Sequence, residues 1–394
     1  MPYSSADLGT FERRIAAGLA HLDEAGLSRR APPISEREGV RYRLDGRPVV
    51  GLCSNDYLDL ADARLPATGV AGAGGSRLVC GDLAEHRALE RSLAAIAGTD
   101  DAVLFPSGYQ LNVGVLPALV ERRDIVASDA LNHASLIDGL RLARASIRVL
   151  AHRTAPDDLA LPEADATLWW ITESTFSMDG DLVDLDALRR HLARGGALYV
   201  DEAHAIGLHQ GGQGLLARHG IVPTVVVAPL GKAFGCAGAF VGASAPVCAW
   251  IRSRARSFVF STGTSPTVVA QLAAAVDLVR GDDGDLRRAR LWRAAHHLAR
   301  RLGLDHAPSP IFPIVIGDNH AALSIAGALF ERGWHVQPIR PPTVPVGTAR
   351  LRVTVGAGHD IATIDAFADA LIELLDRASL PLVVDRGAGF RAIP

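Results

Sequence analysis

Short apolar runs alternate with amphipathic segments of helical length along most of this chain. The apolar runs are expected to be buried strands, and they lie at residues 49–53, 102–105, 124–128, 147–150, 168–172, 197–201, 224–228 and 237–243. The segments between them are predicted helices, at 83–97, 108–120, 134–145, 184–194, 246–257 and 266–280. Continuous apolar runs that are separated by helices favour a mostly parallel sheet with helices on both faces.

A change of composition at the Gly/Asp-rich segment GDDGD, residues 281–285, marks the start of a second unit. A helix rich in Arg and His follows it, and then predicted strands at 312–317 and 350–355 alternate with predicted helices at 320–332 and 360–377. We therefore expect an α/β protein in four parts: an N-terminal segment 1–45, a large domain 46–281, a smaller C-terminal α/β domain 282–379 and a tail 380–394.

Composition and charge exclude several classes of protein. The 394-residue chain has a net charge of −3, which gives no basic footprint for nucleic acid. Its apolar stretches are far shorter than the roughly 20 residues of a membrane helix, and its first residues do not resemble a signal peptide. Four cysteines without C-x-x-C spacing indicate neither a zinc site nor a disulfide framework. We expect a soluble, cytoplasmic protein that needs no metal.

Lys232 is the only lysine of the chain, so 39 of the 40 residues counted as Lys and Arg are arginines. Arginine supplies positive charge and ion pairs as well as lysine does, but it does not lose its proton and attack a carbonyl as an amine. A single retained lysine therefore indicates a need for the amine itself. The alternative is that an Arg-rich composition left one lysine by chance.

Polar residues follow several predicted strands at the points where the strands end. Asp201 and His204 follow one strand, Lys232 follows the next, and Ser107 opens a helix after a third. The carboxyl ends of parallel strands meet at one edge of an open sheet, and a helix N-terminus there can bind phosphate. The sequence thus predicts a site for a phosphorylated carbonyl cofactor that forms a Schiff base. Singly, Asp201 could equally be a helix N-cap and His204 a structural histidine.

Two other functions are compatible with parts of these segments. DEAH at 201–204 spells a helicase box and GK at 231–232 suggests a nucleotide-binding loop. A P-loop, however, has G-x-x-x-x-G-K-[ST] upstream of that box, whereas here Val226 stands for the first glycine and Ala233 follows the lysine. We reject an NTPase. A non-catalytic binding module stays open, and a yellow protein with a cofactor bound to Lys232 would exclude it.

Eight collinear segments within about residues 11–375 resemble the α-oxoamine synthases. They are SNDYL at 54–58, GSRLVCGD at 75–82, LFPSGYQLN at 104–112, SDALNHASLIDGLRLARA at 128–145, ESTFSMDGD at 173–181, VDEAHAIG at 200–207, LGKAFGCAGAF at 230–240 and IRPPTVPVGTARLRVT at 339–354. This family consists of fold-type-I pyridoxal-5′-phosphate (PLP) enzymes that condense an amino acid with an acyl thioester and release carbon dioxide. The resemblance implies a PLP-dependent transferase of fold type I, with the cofactor in the large domain.

Within the family, ESTFSMDGD and IRPPTVP are most similar to the branch that joins L-alanine to a pimeloyl thioester in biotin biosynthesis. The thioester is carried by acyl carrier protein or coenzyme A, and the sequence does not choose between them. A sibling synthase that uses glycine or serine, or another acyl thioester, stays the alternative. The family also implies a homodimer whose sites borrow residues across the subunit boundary.

Matching positions carry the family's site onto this chain. Lys232 would bind PLP as a Schiff base and act as the base, Asp201 would pair with the pyridine nitrogen, and His133 would stack on the ring. The resemblance assigns further cofactor contacts to Gly108, Tyr109, Ser177, Ala203, His204 and, from a partner subunit, Ser261 and Thr262. It assigns substrate contacts to Arg352, for the amino-acid carboxylate, and to Arg29, Asn55, His133 and Thr343.

Two positions depart from the family pattern. Three residues before the lysine, where a phosphate-binding Thr or Ser is usual, this chain has Pro229, which offers neither a hydroxyl nor an N–H. We therefore expect weaker retention of the cofactor. Asp59 stands where glycine is usual after the SNDYL segment.

Overall fold

A computed structural model describes residues 9–29, 31–66, 70–162 and 165–384 of the chain. Parts of the predicted N-terminal segment 1–45 and of the predicted tail 380–394 lie outside these ranges. The strands are β1 Ile34–Glu38, β2 Arg41–Leu44, β3 Arg47–Gly51, β4 Asp101–Phe105, β5 Ile125–Asp129, β6 Ser146–Leu150, β7 Leu168–Glu173, β8 Ala197–Asp201, β9 Val225–Pro229, β10 Ala239–Ala243, β11 Ile311–Gly317, β12 Trp334–His335, β13 Gln337–Ile339 and β14 Ala349–Thr354.

The helices follow the predicted alternation with the strands. They are α1 Thr10–Glu24, α2 Ala84–Ala97, α3 Gly108–Leu119, α4 Ala134–Ala143, α5 Leu185–Ala193, α6 Leu215–Arg218, α7 Ala245–Arg254, α8 Arg256–Val259, α9 Pro266–Arg280, α10 Asp282–Arg301, α11 Asn319–Glu331 and α12 Ile361–Arg377. Short helical turns occupy Arg77–Gly81 and Gln210–Gly212. The single helix predicted at 246–257 is divided into α7 and α8, because the extended backbone of Ala255 interrupts it.

Over the described residues, seven strands form the central sheet in the order β4-β10-β9-β8-β7-β5-β6. β10 runs antiparallel to both of its neighbours, and the pairs from β9 through β6 are parallel. The prediction of a mostly parallel sheet is confirmed. Every residue of β7 and β8 is buried, which explains why these strands read as continuous apolar runs.

Helices cover both faces of this sheet. On one face α3, α4 and α7 pack through side chains such as Leu111, Leu136 and Ile251. On the other, α2 and α9 pack through Leu93 and Leu272. With both faces covered, the carboxyl edge of β7, β8 and β9 is where polar residues at the strand ends can meet.

The strand predicted at 49–53 does not join the central sheet. It is β3, which pairs antiparallel with β2 and parallel with β12 in a separate sheet of the order β1-β2-β3-β12. Its apolar run is short and its first two residues are exposed, as expected of a strand at the protein surface. The expectation that this run belongs to the main sheet was wrong.

A second core forms around the C-terminal sheet β11-β14-β13, against which α10, α11 and α12 pack. α10 begins at Asp282, within the GDDGD segment. The change of element falls at Gly281, which ends α9 and precedes α10. Asp282, Asp283 and Asp285 occupy the first turn, where carboxylates interact favourably with the helix dipole.

Asp59 adopts a φ of 57°, a left-handed conformation that glycine reaches at no steric cost. Asp and Asn are the residues that tolerate this region best after glycine. The departure from the family pattern therefore leaves the turn after SNDYL intact.

None of the helices in the described part of the chain is both long enough and apolar enough to cross a bilayer.

Candidate active site

The carboxyl ends of β7, β8 and β9 bring the chemistry-bearing residues together. Asp201 is the last residue of β8, and it lies in register with Glu173 at the end of β7. Lys232 follows β9 by three residues. This is the edge at which the sequence predicts a site.

Lys232 stands at one end of a row of three hydrogen-bonded side chains, followed by His204 and Tyr57. Its Nζ lies 2.9 Å from His204 Nε2, and His204 Nδ1 lies 2.6 Å from the Tyr57 hydroxyl. Lys232 is partly exposed as a residue, but its amine is buried. Burial disfavours the charged amine and lowers its pKa to about 8, although the nearby carboxylates of Asp201 and Glu173 oppose this effect.

His204 is neutral in this row. Burial, and then the positive charges of Lys232 and Arg352, hold its pKa well below the usual value. Burial likewise raises the pKa of the Tyr57 hydroxyl, so that group keeps its proton. Lys232 is therefore contacted by a neutral hydrogen-bonding group rather than by a counter-ion.

Asp201 is buried and is held by two neutral donors. Its Oδ1 accepts from the Ala203 N–H at 2.9 Å, and its Oδ2 accepts from the Asn112 side-chain amide at 3.2 Å. Neither donor neutralises the carboxylate, which therefore favours a cationic N–H as a further partner. Ala203 is buried beside it.

His133 caps helix α4 and faces a cavity of about 630 Å³. Its backbone N–H donates to Glu173 Oε1 at 2.7 Å, and its Nδ1 is bonded to the Ser135 hydroxyl at 2.8 Å and the Ser135 N–H at 3.2 Å. The cavity is also lined by Ser177, Arg29 and Thr343. Burial, opposed by Asp201 and reinforced by Lys232, lowers the pKa of His133.

Arg352 reaches the same region from β14 of the C-terminal sheet. The side chain is buried, and its Nε donates to the backbone carbonyl of Ser177 at 2.6 Å. Its Nη2 is buried without a hydrogen-bond partner. A buried guanidinium nitrogen without a partner is costly, and a ligand oxygen beside it would satisfy it.

The N-terminus of α3 forms the next part of the site. Ser107 caps the helix, and Gly108 and Tyr109 are its first residues. A Cβ placed on Gly108 would lie 2.5 Å from Pro229 Cγ, so the proline ring packs directly against this helix end. The hydroxyl of Tyr109 instead bonds Asp138 on α4.

Ser261 and Thr262 lie on a segment that contacts this helix within the same chain. Ser261 Oγ accepts from the Gln110 amide at 2.9 Å, and Thr262 pairs with Ser76 in an isolated β-bridge. Ser261 is thus near the α3 N-terminus of its own chain. The expectation that both residues serve a partner's site stays a prediction.

Two predicted substrate residues contact each other at the cavity mouth. Arg29 donates to Thr343 Oγ1 at 3.2 Å, although 314 residues separate them in sequence. Asn55 Oδ1 accepts from the Tyr57 hydroxyl at 3.4 Å, so Asn55 lies beside the row of Lys232, His204 and Tyr57. Of the predicted residues, Arg29, His133, Ser177 and Thr343 line one cavity. Ser261 lies near the α3 N-terminus, and Thr262 contacts Ser76.

Among the residues that the structure describes, His152, Asp179 and Asp181 form a cluster with metal-ligand residue types. Both ring nitrogens of His152 are already bonded, to Asp129 at 2.9 Å and Asp181 at 2.8 Å, while Asp179 pairs with Arg350. Burial opposes the charge of His152, but the two carboxylates outweigh it and raise its pKa to about 10. The cluster therefore ties the ESTFSMDGD segment to the neighbouring strands.

Sequence reasoning missed three residues of the site. Tyr57 lies within the SNDYL motif, but no neighbouring residue in the sequence indicates that it bonds His204. Asn112 contacts Asp201, and Tyr199 contacts Asn112, only because α3 packs against the central sheet. The sequence could have indicated both residues, because each is a polar residue within an otherwise apolar segment, Asn112 in α3 and Tyr199 in β8.

The donor set of this edge fits a phosphorylated carbonyl cofactor with a basic ring nitrogen. A buried amine of lowered pKa suits a covalent bond to a carbonyl, and the buried Asp201 suits a protonated ring nitrogen. The free N–H groups of the α3 N-terminus suit a phosphate. The unpartnered Arg352 nitrogen lies where a carboxylate would satisfy it.

The chain resembles known proteins along nearly its whole length. The family model of class I and II aminotransferases matches residues 47–371. An 8-amino-7-oxononanoate synthase of Anaeromyxobacter sp. (strain K) is 45% identical over 395 residues, covering 95% of this chain and 98% of that protein.

Solved structures share the fold as well. The serine palmitoyltransferase of Sphingomonas wittichii superposes with a TM-score of 0.83 at 27% identity, covering 95% of this chain and 100% of the other. A second structure, named SPT with a PLP internal aldimine, gives a TM-score of 0.85 at 25% identity, with 95% and 100% covered.

Proposed function

Since this chain belongs to the class I and II aminotransferase family and, within it, to the 8-amino-7-oxononanoate synthases, we propose that it condenses L-alanine with a pimeloyl thioester. The products are 8-amino-7-oxononanoate, carbon dioxide and the free thiol of the carrier, and the reaction belongs to biotin biosynthesis. The observation that carries this proposal is the chain's single lysine, whose buried amine lies 2.9 Å from His204 with its pKa lowered to about 8.

PLP is the cofactor that these residues would hold. Lys232 would bind it covalently, Asp201 would pair with its pyridine nitrogen, and His133 would lie against its ring. Ser177 and His204 would contact its polar edge, while the N–H groups of Gly108 and Tyr109 would bind its phosphate. When bound, PLP supplies an electron sink that stabilises negative charge on the α-carbon of the amino acid.

Arg352 would bind the carboxylate of alanine. Its Nε already donates to Ser177, so the guanidinium is held in place, and its buried Nη2 is available. A planar guanidinium binds a carboxylate with a defined orientation. Asn55, His133, Thr343 and, more loosely, Arg29 would contact the substrates around the same cavity.

Lys232 would carry out the proton transfers. With alanine in the site, the free amine of Lys232 would remove the α-proton of alanine and later return a proton to the product. A base works best when its pKa lies near the working pH, and a value of about 8 meets this condition better than the usual value near 10.5. Burial of the amine is the physical cause.

The acyl chain arrives on coenzyme A or on acyl carrier protein, and we propose a homodimer in the cytoplasm as the working form. The exposed apolar side chains of Leu78, Val79 and Phe260 flank the bridge between Ser76 and Thr262, which supports a second copy docking there. The four free cysteines support a reducing compartment.

A sibling activity is the second candidate, because the chain shares its fold with serine palmitoyltransferases at TM-scores of 0.83 and 0.85. Such an enzyme would join serine or glycine, or another acyl thioester, in the same way. The 45% identity to an 8-amino-7-oxononanoate synthase favours alanine.

A panel of amino acids tests the proposal. The purified holoenzyme is mixed with alanine, glycine or serine and pimeloyl-CoA, and the product is identified by mass spectrometry. Of the three amino acids, only alanine is expected to give a condensation product with pimeloyl-CoA, namely 8-amino-7-oxononanoate. Lys232→Arg is expected to give no product with any of them. A strong response to glycine or serine without one to alanine would overturn the assignment.

A further inference from the structure

Asn112 occupies a buried position on α3 that the proposed chemistry does not itself use. Its side chain has two N–H donors and one acceptor oxygen, and all three are engaged. The amide nitrogen donates to Asp201 Oδ2 at 3.2 Å and to Ser135 Oγ at 2.9 Å, while Oδ1 accepts from the Tyr199 hydroxyl at 2.6 Å. A fully satisfied buried amide is rigid, because any rotation breaks one of its bonds.

The carboxylate of Asp201 fixes the direction in which the amide points. If the amide were turned over, Oδ1 would face the Asp201 oxygen at about the same separation, and two acceptors would repel each other. The Tyr199 hydroxyl reinforces the observed orientation, because burial raises its pKa and it keeps a proton to donate. Asn112 therefore presents an N–H to Asp201.

Close packing of two helices makes the network possible. A Cβ on Gly139 of α4 would lie 2.6 Å from the backbone oxygen of Asn112, so only glycine allows this approach. The approach brings Ser135, at the start of α4, within reach of the amide. The same α3 begins at Gly108, so one helix links the expected phosphate site to Asp201.

We propose that Asn112 is a positioning residue, which acts through Asp201 by holding that carboxylate charged and in the orientation in which it would pair with the ring nitrogen of the cofactor. A hydrogen bond to a carboxylate stabilises the anion and makes it a weaker base. Without that bond, Asp201 takes a larger share of the proton that lies between it and the ring nitrogen. This inference rests on the proposed function, in which Asp201 pairs with the pyridine nitrogen of PLP.

The test measures the proton on the ring nitrogen directly. Holoenzyme is loaded with PLP labelled with ¹⁵N at the pyridine position, and the ¹⁵N chemical shift distinguishes a protonated ring nitrogen from a neutral one. Asn112→Leu, similar in shape but without donors, and Asn112→Ala are expected to move the signal toward the neutral value. The Kd for PLP is expected to rise roughly 10-fold to 100-fold, as for loss of a hydrogen bond to a charged group.

Tyr199→Phe is the milder variant, in case loss of the buried amide prevents folding. It leaves Asn112 in place but removes the bond that orients its oxygen, so a smaller shift in the same direction is expected. The double variant with Asn112→Leu should add little to Asn112→Leu alone, because both act through one network.

Asn132→Ala is the matched control. Asn132 is also a buried amide, but its nitrogen donates to Ser128 Oγ at 3.0 Å and to the Ile171 carbonyl at 2.8 Å, and not to Asp201. Its ¹⁵N shift should equal that of the unmodified enzyme. An equal change in this control, or an unchanged shift in Asn112→Leu and Tyr199→Phe, would refute the positioning role.

Failure of the proposed function would look different. If the unmodified enzyme already holds a neutral ring nitrogen, the pairing of Asp201 with the cofactor is wrong, and the inference about Asn112 falls with it. If the unmodified enzyme holds a protonated ring nitrogen and the variants do too, only the role of Asn112 is wrong.

Discussion

At the scale of single residues, the site depends on burial more than on ion pairs. The amine of Lys232 is buried, its hydrogen-bond partner His204 is neutral, and Asp201 is held by two neutral donors. Spacing along the chain could predict that Lys232, Asp201 and His204 meet, because each follows a strand of one parallel sheet. It could not predict Tyr57 or Asn112, whose partners lie 147 and 89 residues away in sequence.

The lowered pKa of Lys232 predicts how the cofactor-free chain captures PLP as a function of pH. Only the neutral amine attacks the carbonyl, and its fraction grows about tenfold per pH unit below the pKa and then levels off. The capture rate should therefore rise up to about pH 8 and be nearly flat above it. Borohydride trapping followed by mass spectrometry measures the rate. Free lysine, whose pKa is about 10.4, is the control, and a chain that follows the free amine up to pH 10 contradicts the prediction.

The buried guanidinium of Arg352 predicts a selective loss of alanine binding. Arg352→Ala should raise the KM for alanine roughly 10-fold to 100-fold, because a hydrogen bond to a charged group is lost. The KM for the thioester should change little. Arg352→Lys keeps the charge but loses the planar fork, so it should recover only part of the effect. Equal changes in both KM values would indicate general disruption of the site.

At the scale of elements, the site is assembled from strand ends, one helix N-terminus and loops tied to both. The order of strands and helices in the large domain could be predicted from apolar runs, because the inner strands of the sheet are buried on both faces. The run at 147–150 was also expected to be buried, and this was wrong, because β6 is an edge strand with no buried residue. The sheet to which β3 belongs could not be predicted, because its partner β12 lies some 280 residues further along the chain. The end of α9 at Arg280 could be predicted, but α10 begins earlier than expected, because the acidic residues of GDDGD favour the first turn of a helix.

Contact between Pro229 and the start of α3 predicts weak phosphate binding. Pro229→Thr should lower the Kd for PLP roughly tenfold, since a hydroxyl there can donate to the phosphate. Pro229→Ala is the control, because it removes the ring without adding a hydroxyl. Equilibrium titration of the cofactor-free chains measures the three affinities. An already submicromolar Kd that Pro229→Thr does not improve would contradict the expectation.

The pairing of His152 with two carboxylates predicts stability that depends on pH. Its pKa is raised to about 10 in the folded chain, so its contribution is complete below about pH 6.5 and is lost as the pH rises toward 10. His152→Gln should lower the Tm of the holoenzyme by on the order of a few degrees at pH 6. The difference between the two proteins should shrink by pH 10. A Tm difference that does not vary with pH would exclude this origin.

At the scale of the whole molecule, the family assigned from eight motifs is confirmed by relatives that cover nearly the whole chain. The motifs could predict the fold class because they lie in collinear order along both domains. They could not reveal how a second copy docks, since that depends on which apolar side chains remain exposed. Val79 is 80% exposed and Phe260 is 72% exposed, values unusual for large apolar side chains.

Leu78, Val79 and Phe260 form an exposed apolar patch, and charged substitutions in this patch should separate a dimer. Val79→Asp combined with Phe260→Asp is expected to yield monomers in light scattering after size-exclusion chromatography. Activity should be lost when the dimer dissociates, because Ser261 and Thr262 adjoin the patch. Both are expected to bind the cofactor phosphate in the site of the partner subunit. Val222→Asp alters another exposed apolar side chain and should leave the dimer intact. An active monomer would contradict the shared site.

The scarcity of lysine also affects how this protein can be modified. Acylating reagents label most proteins at many surface lysines, but apart from an α-amine they find only Lys232 here. Because its amine is buried beside His204, acylation should be slow and should speed up only when the site opens. Cofactor or substrate that covers the amine should protect it. The chain thus contains a built-in chemical reporter of access to its own interior, with no engineered tag required.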